Sequence, residues 1–408
     1  MERMAEVVPD SDEQRYQYFL SESNWSDQEV TEHVAKDADR LLGGKDDTSL
    51  IVDESAFTKK GDHSVGVARQ YSGRMGKLDN CQVGVFSALS SGTRVCPVGT
   101  RLFLPEKWTR NRKRCAKAGV PKERMHHQTK QELAMELVIQ ARQQGLRFKW
   151  VQGDGAYGHD LKFCRNLDDM GERFILAVHK NQRIYLEDPS PAVPEKECKT
   201  GRALQRLQTK VRPTTAQNWA KRQPKSDWKV LKMRDSTKGE IEVEVVYRRV
   251  WVWDGQTKRV DQWWLVAQRD GAGDYKYALS NAPETVDCKE VARQAGQRFW
   301  IERSFEDAKG KVGMSEYQAR GWIAWHHHMA MVMMAMLFLV EERELHQTSL
   351  PLMSCTDVVE LLSIALPNRK IDGQEILRQM KVRHEKRQAS IDAAYARQKA
   401  RRCRNGGA

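Results

Sequence analysis

The sequence predicts an α/β protein in which a sheet delivers two aspartates at one edge, a β-rich insertion follows, and a helix then brings a glutamate. Three observations predict it. Leu50-Ile51-Val52 runs into Asp53 and Trp150-Val151-Gln152-Gly153 runs into Asp154, each a short buried run ending in an acid. A helical stretch over 130–144 separates the two runs, and such a crossover sets the strands parallel and side by side, with both acids at one edge. Alternating segments over 240–253 and 263–267 precede the stretch 297–309, which lacks Pro and Gly and carries Glu302.

Taken in order, residues 1–45 form a helical lead-in, read as a packing arm or a truncated DNA-binding region. Ser26-Asp27-Gln28-Glu29 is the N-cap box of its second helix, which stops at Gly43-Gly44. Runs at 49–55, 64–68 and 81–89 predict a three-stranded antiparallel meander, and Leu102-Phe103-Leu104 a further short strand. Thr129 caps the helix over 130–144, which Gly145 ends. Residues 161–170 are helical and 173–178 a buried strand, closing the first part of the core at 46–180. A basic linker and antiparallel insertion occupy 181–285, with Trp251, Trp253, Trp263 and Trp264 on its strands. The core resumes over 286–345, with a long apolar helix over 317–344, and 346–408 holds a helix at 351–365 and a charged tail.

Hydrophobic content of 40% and 30% charged residues, in 408 residues, describe a globular chain with a substantial core. The net charge of +13 is uneven: 196–234 holds twelve Lys/Arg against two acids, and 369–404 twelve against four. Such blocks favour a polyanion, nucleic acid first. The eight cysteines show no metal-ligand spacing and read as reduced thiols of a cytoplasmic protein. The apolar run 329–340 is too short to span a bilayer, so no membrane partner is expected.

Arg298 and Glu302, four apart, leave one face of a helix, and Lys309 follows two turns on. Glu54 alternates to the other face of its strand, and Glu306, one turn on, competes for the third-acid role, with Arg298 at minus four and Lys309 at plus seven favouring Glu302. His326-His327-His328 diverge by about 100° per residue on a helix and cannot chelate one ion. Lys59 and Lys60 lie close beyond the first acid. The tryptophans read as the core of the inserted sheet, with Trp264 the candidate for stacking on an unpaired base.

The order of acid-tipped strand, helix, acid-tipped strand, insertion and acid-bearing helix is the layout of an RNase H-like catalytic core. The blocks Leu50-Ile51-Val52-Asp53-Glu54-Ser55-Ala56-Phe57-Thr58-Lys59-Lys60-Gly61, Asn80-Cys81-Gln82-Val83-Gly84-Val85-Phe86 and Gly153-Asp154-Gly155-Ala156-Tyr157-Gly158 resemble the DDE transposases of bacterial insertion sequences. Arg298, Glu302 and Lys309 match a Y-x2-R-x3-E-x6-K signature, with Ala295 at its tyrosine position. The nearest group is the IS seven-oh-one branch of the IS four superfamily. The resemblance implies cleavage at element ends and transfer of the 3′-hydroxyls to target DNA. It implies two Mg²⁺ ions, with Mn²⁺ as a substitute, on Asp53, Asp154 and Glu302. It further implies phosphate contacts from Arg298 and Lys309, terminal inverted repeats and target duplex as partners, a homodimer on DNA, and a cytoplasmic, nucleoid-associated bacterial protein. A retired DNA-binding descendant and a stand-alone Mg²⁺ nuclease are the rival expectations.

Overall fold

The computed structural model describes residues 2–73, 76–194, 206–236, 239–271, 273–369 and 371–405. Residues 195–205 of the expected basic linker, and the side chains of the basic run 401–404, lie outside the described residues.

In chain order the elements are α1 (Glu2–Val7), α2 (Glu13–Ser21), α3 (Asp27–Leu42), β1 (Ser49–Thr58), β2 (Ala68–Ser72), β3 (Lys77–Ser91) and β4 (Arg94–Leu102). Then come α4 (Glu106–Thr109), α5 (Arg112–Lys117), α6 (Lys130–Gln143), β5 (Trp150–Gly153), α7 (Gly155–Gly158), α8 (Leu161–Asp169) and β6 (Phe174–Val178). Residues 181–285 supply β7 (Arg183–Ile184), β8 (Thr214–Thr215), α9 (Ala216–Lys221), β9 (Lys229–Ser236), β10 (Gly239–Trp253), β11 (Val260–Arg269) and β12 (Tyr275–Ser280). The chain ends with α10 (Cys288–Gln297), α11 (Phe299–Lys311), α12 (Trp322–Leu345), α13 (Cys355–Ala365) and α14 (Gly373–Asn405). Two compact units result, one of Trp25–Val358 and one of Met1–Asn24 with Val359–Ala408.

The larger unit is a mixed α/β structure around one sheet in the order β2-β3-β1-β5-β6-β12-β11-β10-β9, with β4 also on β3. β1, β5 and β6 run parallel, Val52 lying opposite Gly153 and Gly153 opposite Leu176. Every other pairing in this sheet is antiparallel. Strands β9 to β12 continue the same sheet, because β12 pairs with β6.

The expected meander is corrected in two respects. The second strand starts at Ala68, after a turn in which Gly66 has φ +75° and a Cβ would lie 2.9 Å from the Phe103 carbonyl oxygen. It lies beyond β3 and not beside β1. β4 replaces the short strand expected at 102–104. Pro97 and Gly99 disguise it, and they flank Val98, the extra residue of a bulge on β4 opposite Ser87 and Ala88 of β3, where the missing N–H is accommodated.

Thr129 and Glu132 close a capping box at the start of α6. α12 begins only after Gly321 and packs on α3 and β4. By length and composition it could cross a membrane, yet 61% of its apolar window is buried in the protein. Its histidines diverge as helical geometry requires. His327 stacks on Trp25, His328 on Tyr317, and His326 contacts the Trp322 carbonyl.

The smaller unit corrects the expected charged tail, since 373–405 is one continuous helix. Arg383 pairs with Glu6 of α1 and Lys386 with Glu13 of α2. The segment has abundant strong helix formers but no sustained apolar stripe to announce a helix of this length.

Candidate active-site cleft

Because Val52 and Gly153 are register partners on parallel strands, Asp53 and Asp154 come next to each other at one sheet edge. Asp53 is still within β1, where its Oδ1 accepts from the Glu54 backbone N–H at 2.7 Å. Asp154 is the N-cap of α7, its Oδ1 accepting from the Ala156 N–H at 2.9 Å. α7 sits tightly on β6: a Cβ on Gly158 would come 2.0 Å from the Ala177 carbonyl oxygen. Glu54 points to the opposite face, paired with Lys130 of α6 at 2.7 Å.

Glu302 stands one turn into α11 and is half-exposed. The expected continuous helix over 297–309 is corrected here. α10 ends at Gln297, Arg298 forms the junction, and α11 continues through Gly310 to Lys311. Gly296, in the last turn of α10, is a poor helix former approached closely by Met233 of β9. Arg298 therefore occupies a helix joint, and its guanidinium reaches both ways. Nη1 lies 3.4 Å from Asp53 Oδ2 and Nη2 lies 2.9 Å from Glu302 Oε1.

Burial, and then the charge of Asp154, push the Asp53 carboxyl up to about 7, against the opposing pull of Arg298. A carboxyl so placed is only partly compensated by Arg298. Its proton uptake on folding means that the Asp53 contribution to stability, present below about pH 4, is lost as pH rises through about 7. Asp53→Asn is thus expected to raise the melting temperature in EDTA by about 2–4 °C at pH 8 and to leave it unchanged at pH 4. Thermal melts at the two pH values check this, and an equal shift at both would contradict it.

The remaining expected residues are dispersed. Lys309 directs Nζ to the Ala56 carbonyl of β1 at 3.5 Å, with the Phe57 ring 5.7 Å away. Lys59 is held by the Tyr317 carbonyl and over its ring, and burial lowers its ammonium to about 8. Lys60 is exposed. Trp264 packs half-buried against the core beside Tyr247 and Arg249, and it does not line the cleft. Its neighbour Trp263 is buried against Phe174.

An open cleft of about 830 Å³ is lined by Asp154, His179, Lys180, Arg298, Phe299 and Glu302 among others. His179 and Lys180 were not singled out by sequence, although they follow β6. The signal available was that β6 is the third parallel strand, since ligands gather beyond the carboxyl ends of such strands.

The donors at this edge are carboxylate oxygens, suited to a hard divalent cation. Among the described residues no group of three or more His, Cys, Asp or Glu is already gathered closely enough to hold one. Glu302 is turned to Arg298, and the guanidinium supplies the positive charge that Asp53 and Glu302 share. The residues fit a metal by chemistry, with Arg298 as the group that must yield.

Residues 1–240 match the family model described as DDE superfamily endonuclease. The chain is also 24% identical over 323 residues to the probable transposase for insertion sequence element IS701 of Microchaete diplosiphon, covering 77% of this chain and 71% of that protein. With the family model spanning more than half of its length, the chain belongs to the DDE superfamily of endonucleases.

Proposed function

We propose that this protein is a transposase that cleaves DNA at the ends of an insertion sequence and joins the freed 3′-hydroxyls to target DNA. The observation that supports the reading is that Arg298 pairs with both Asp53 and Glu302 while Asp154 follows the parallel strand beside that of Asp53. In this reading 46–180 and 286–345 form an RNase H-like core, 181–285 is its β insertion, and 1–45 and 346–408 flank it.

Asp53, Asp154 and Glu302 would hold two divalent cations, Mg²⁺ by preference and Mn²⁺ as a substitute. Bound there, the ions would supply activation of the attacking water or 3′-hydroxyl and neutralisation of the leaving oxygen. Asp53 must give up its proton first, so cleavage is expected to rise with pH through about 7. Arg298 exchanges its carboxylate partners for a DNA phosphate, for which its planar fork is suited. Lys309 steadies the end of β1 and, with Lys60 and Lys180, adds positive charge for the backbone. Lys59 acts through Tyr317, and Trp264 serves the packing of the insertion. Two copies on paired element ends are the working assembly.

The test is a labelled duplex bearing the terminal inverted repeats, incubated with Mg²⁺ and target DNA. Cleavage at the repeat end followed by a joined product supports transposition. Digestion that ignores the repeat would make the protein a nuclease, and binding without cleavage would make it a retired DNA-binding descendant.

A further inference from the structure

Helix α10 lies on the sheet through an apolar interface that includes Trp150, Ile175, Val266, Val291 and Ala292. A buried polar cluster lies between the same elements. Gln294 Oε1 accepts from Ser49 Oγ and from Gln152 Nε2, both at 3.2 Å, and Gln152 Nε2 also donates to Ser49 Oγ at 2.8 Å. The three residues are only 4%, 0% and 1% exposed for Gln294, Ser49 and Gln152.

Each stands on an element that leads to one acid. Ser49 precedes Asp53 by four residues on β1, and Gln152 precedes Asp154 by two on β5. Gln294 is one helical turn before Arg298 and eight residues before Glu302. Apolar packing sets the spacing between a helix and a sheet but resists small slides and rotations only weakly. Buried hydrogen bonds resist them directionally, because breaking one strands polar groups away from water.

We propose that Gln294 is a positioning residue for DNA cleavage. Its side-chain amide holds α10, and through it Arg298 and Glu302, in register with the strands that carry Asp53 and Asp154. Gln294 is not among the residues lining the cleft, so it acts only through these neighbours. The proposal rests on the reading of the three acids as metal ligands.

The test uses the full chain and Mn²⁺ as the probe, without DNA, alongside the Mg²⁺ dependence of cleavage. Gln294→Met keeps the volume and removes the acceptor. It is expected to fold, to weaken Mn²⁺ binding by about tenfold, and to raise the Mg²⁺ midpoint by a similar factor, the low end of what losing a group that orients a ligand costs. Ser49→Ala, which deletes one donor without altering the helix, is expected to move both readouts in the same direction by about threefold. The double variant should resemble Gln294→Met alone, because both changes break one network. Wild-type Mn²⁺ affinity and Mg²⁺ midpoint in folded Gln294→Met overturn the proposal. If that variant does not fold, wild-type values in Ser49→Ala overturn it. Glu302→Gln is measured in parallel: if it binds Mn²⁺ as wild type does, the metal reading itself fails.

Discussion

Glu302→Gln is expected to lower Mg²⁺-dependent cleavage of element ends by at least about 10³-fold while leaving the fold intact. Loss of a partner that merely orients a metal ligand already costs about 10–100-fold, so loss of a ligand's charge should cost more. Glu302 is half-exposed, and Arg298, its ion-pair partner among the described residues, keeps Asp53. Neutralising it therefore leaves no buried charge stranded, and the melting temperature in EDTA should stay within a degree or two of wild type. Gel assays of labelled repeat ends, with melts as control, give the answer. Cleavage at the wild-type rate by a folded Glu302→Gln variant would remove Glu302 from the site, and Glu306, one turn on, would be the next acid to replace.

The second large effect has two opposite signs. Arg298→Gln is expected to tighten Mn²⁺ binding to the DNA-free protein by roughly 3–10-fold, because a fixed cation that competes for Asp53 and Glu302 is gone. The gain is modest because the pair is partly solvent-screened. The measurement belongs at pH 8.5, well above the value near 7 at which Asp53 binds its proton. The same variant should cleave about 10²-fold more slowly, having lost a charge-assisted contact to phosphate. Tighter metal binding with slower cleavage separates this role from a structural one, which would weaken both. Unchanged or weaker Mn²⁺ binding in Arg298→Gln would contradict the competition.

The two strand-end aspartates were legible because apolar runs of β residues ending at an acid, separated by a capped helix, leave little topological choice. Thr129, Glu132 and Gly145 bound that helix in sequence as in structure. β4 was not legible, since Pro97 and Gly99 are strand breakers whose cost is absorbed by a bulge at Val98 between them, which takes shape only when β4 pairs with β3. The joint at Arg298 was hidden for the converse reason. The residues from Gln297 to Lys309 favour helix individually, and the break arises where Gly296 meets Met233, 63 positions earlier in the chain. The Gln294 contact was equally invisible. A single glutamine in an amphipathic helix carries no mark of whether it faces water or two buried donors on distant strands.

The continuity of the sheet across β6 and β12 has a consequence for how such a chain can change over generations. The floor beneath α10 is built largely from the last four strands: Leu231 of β9, Val245 of β10, Val266 of β11 and Ala278 of β12 all pack in its apolar cluster. An excision joining residue 180 to 286 would leave that helix, and Glu302 beyond it, without a seat. Strands β9 to β12 are therefore not a removable accessory, and a lineage could exchange them only together with the helix that stands on them.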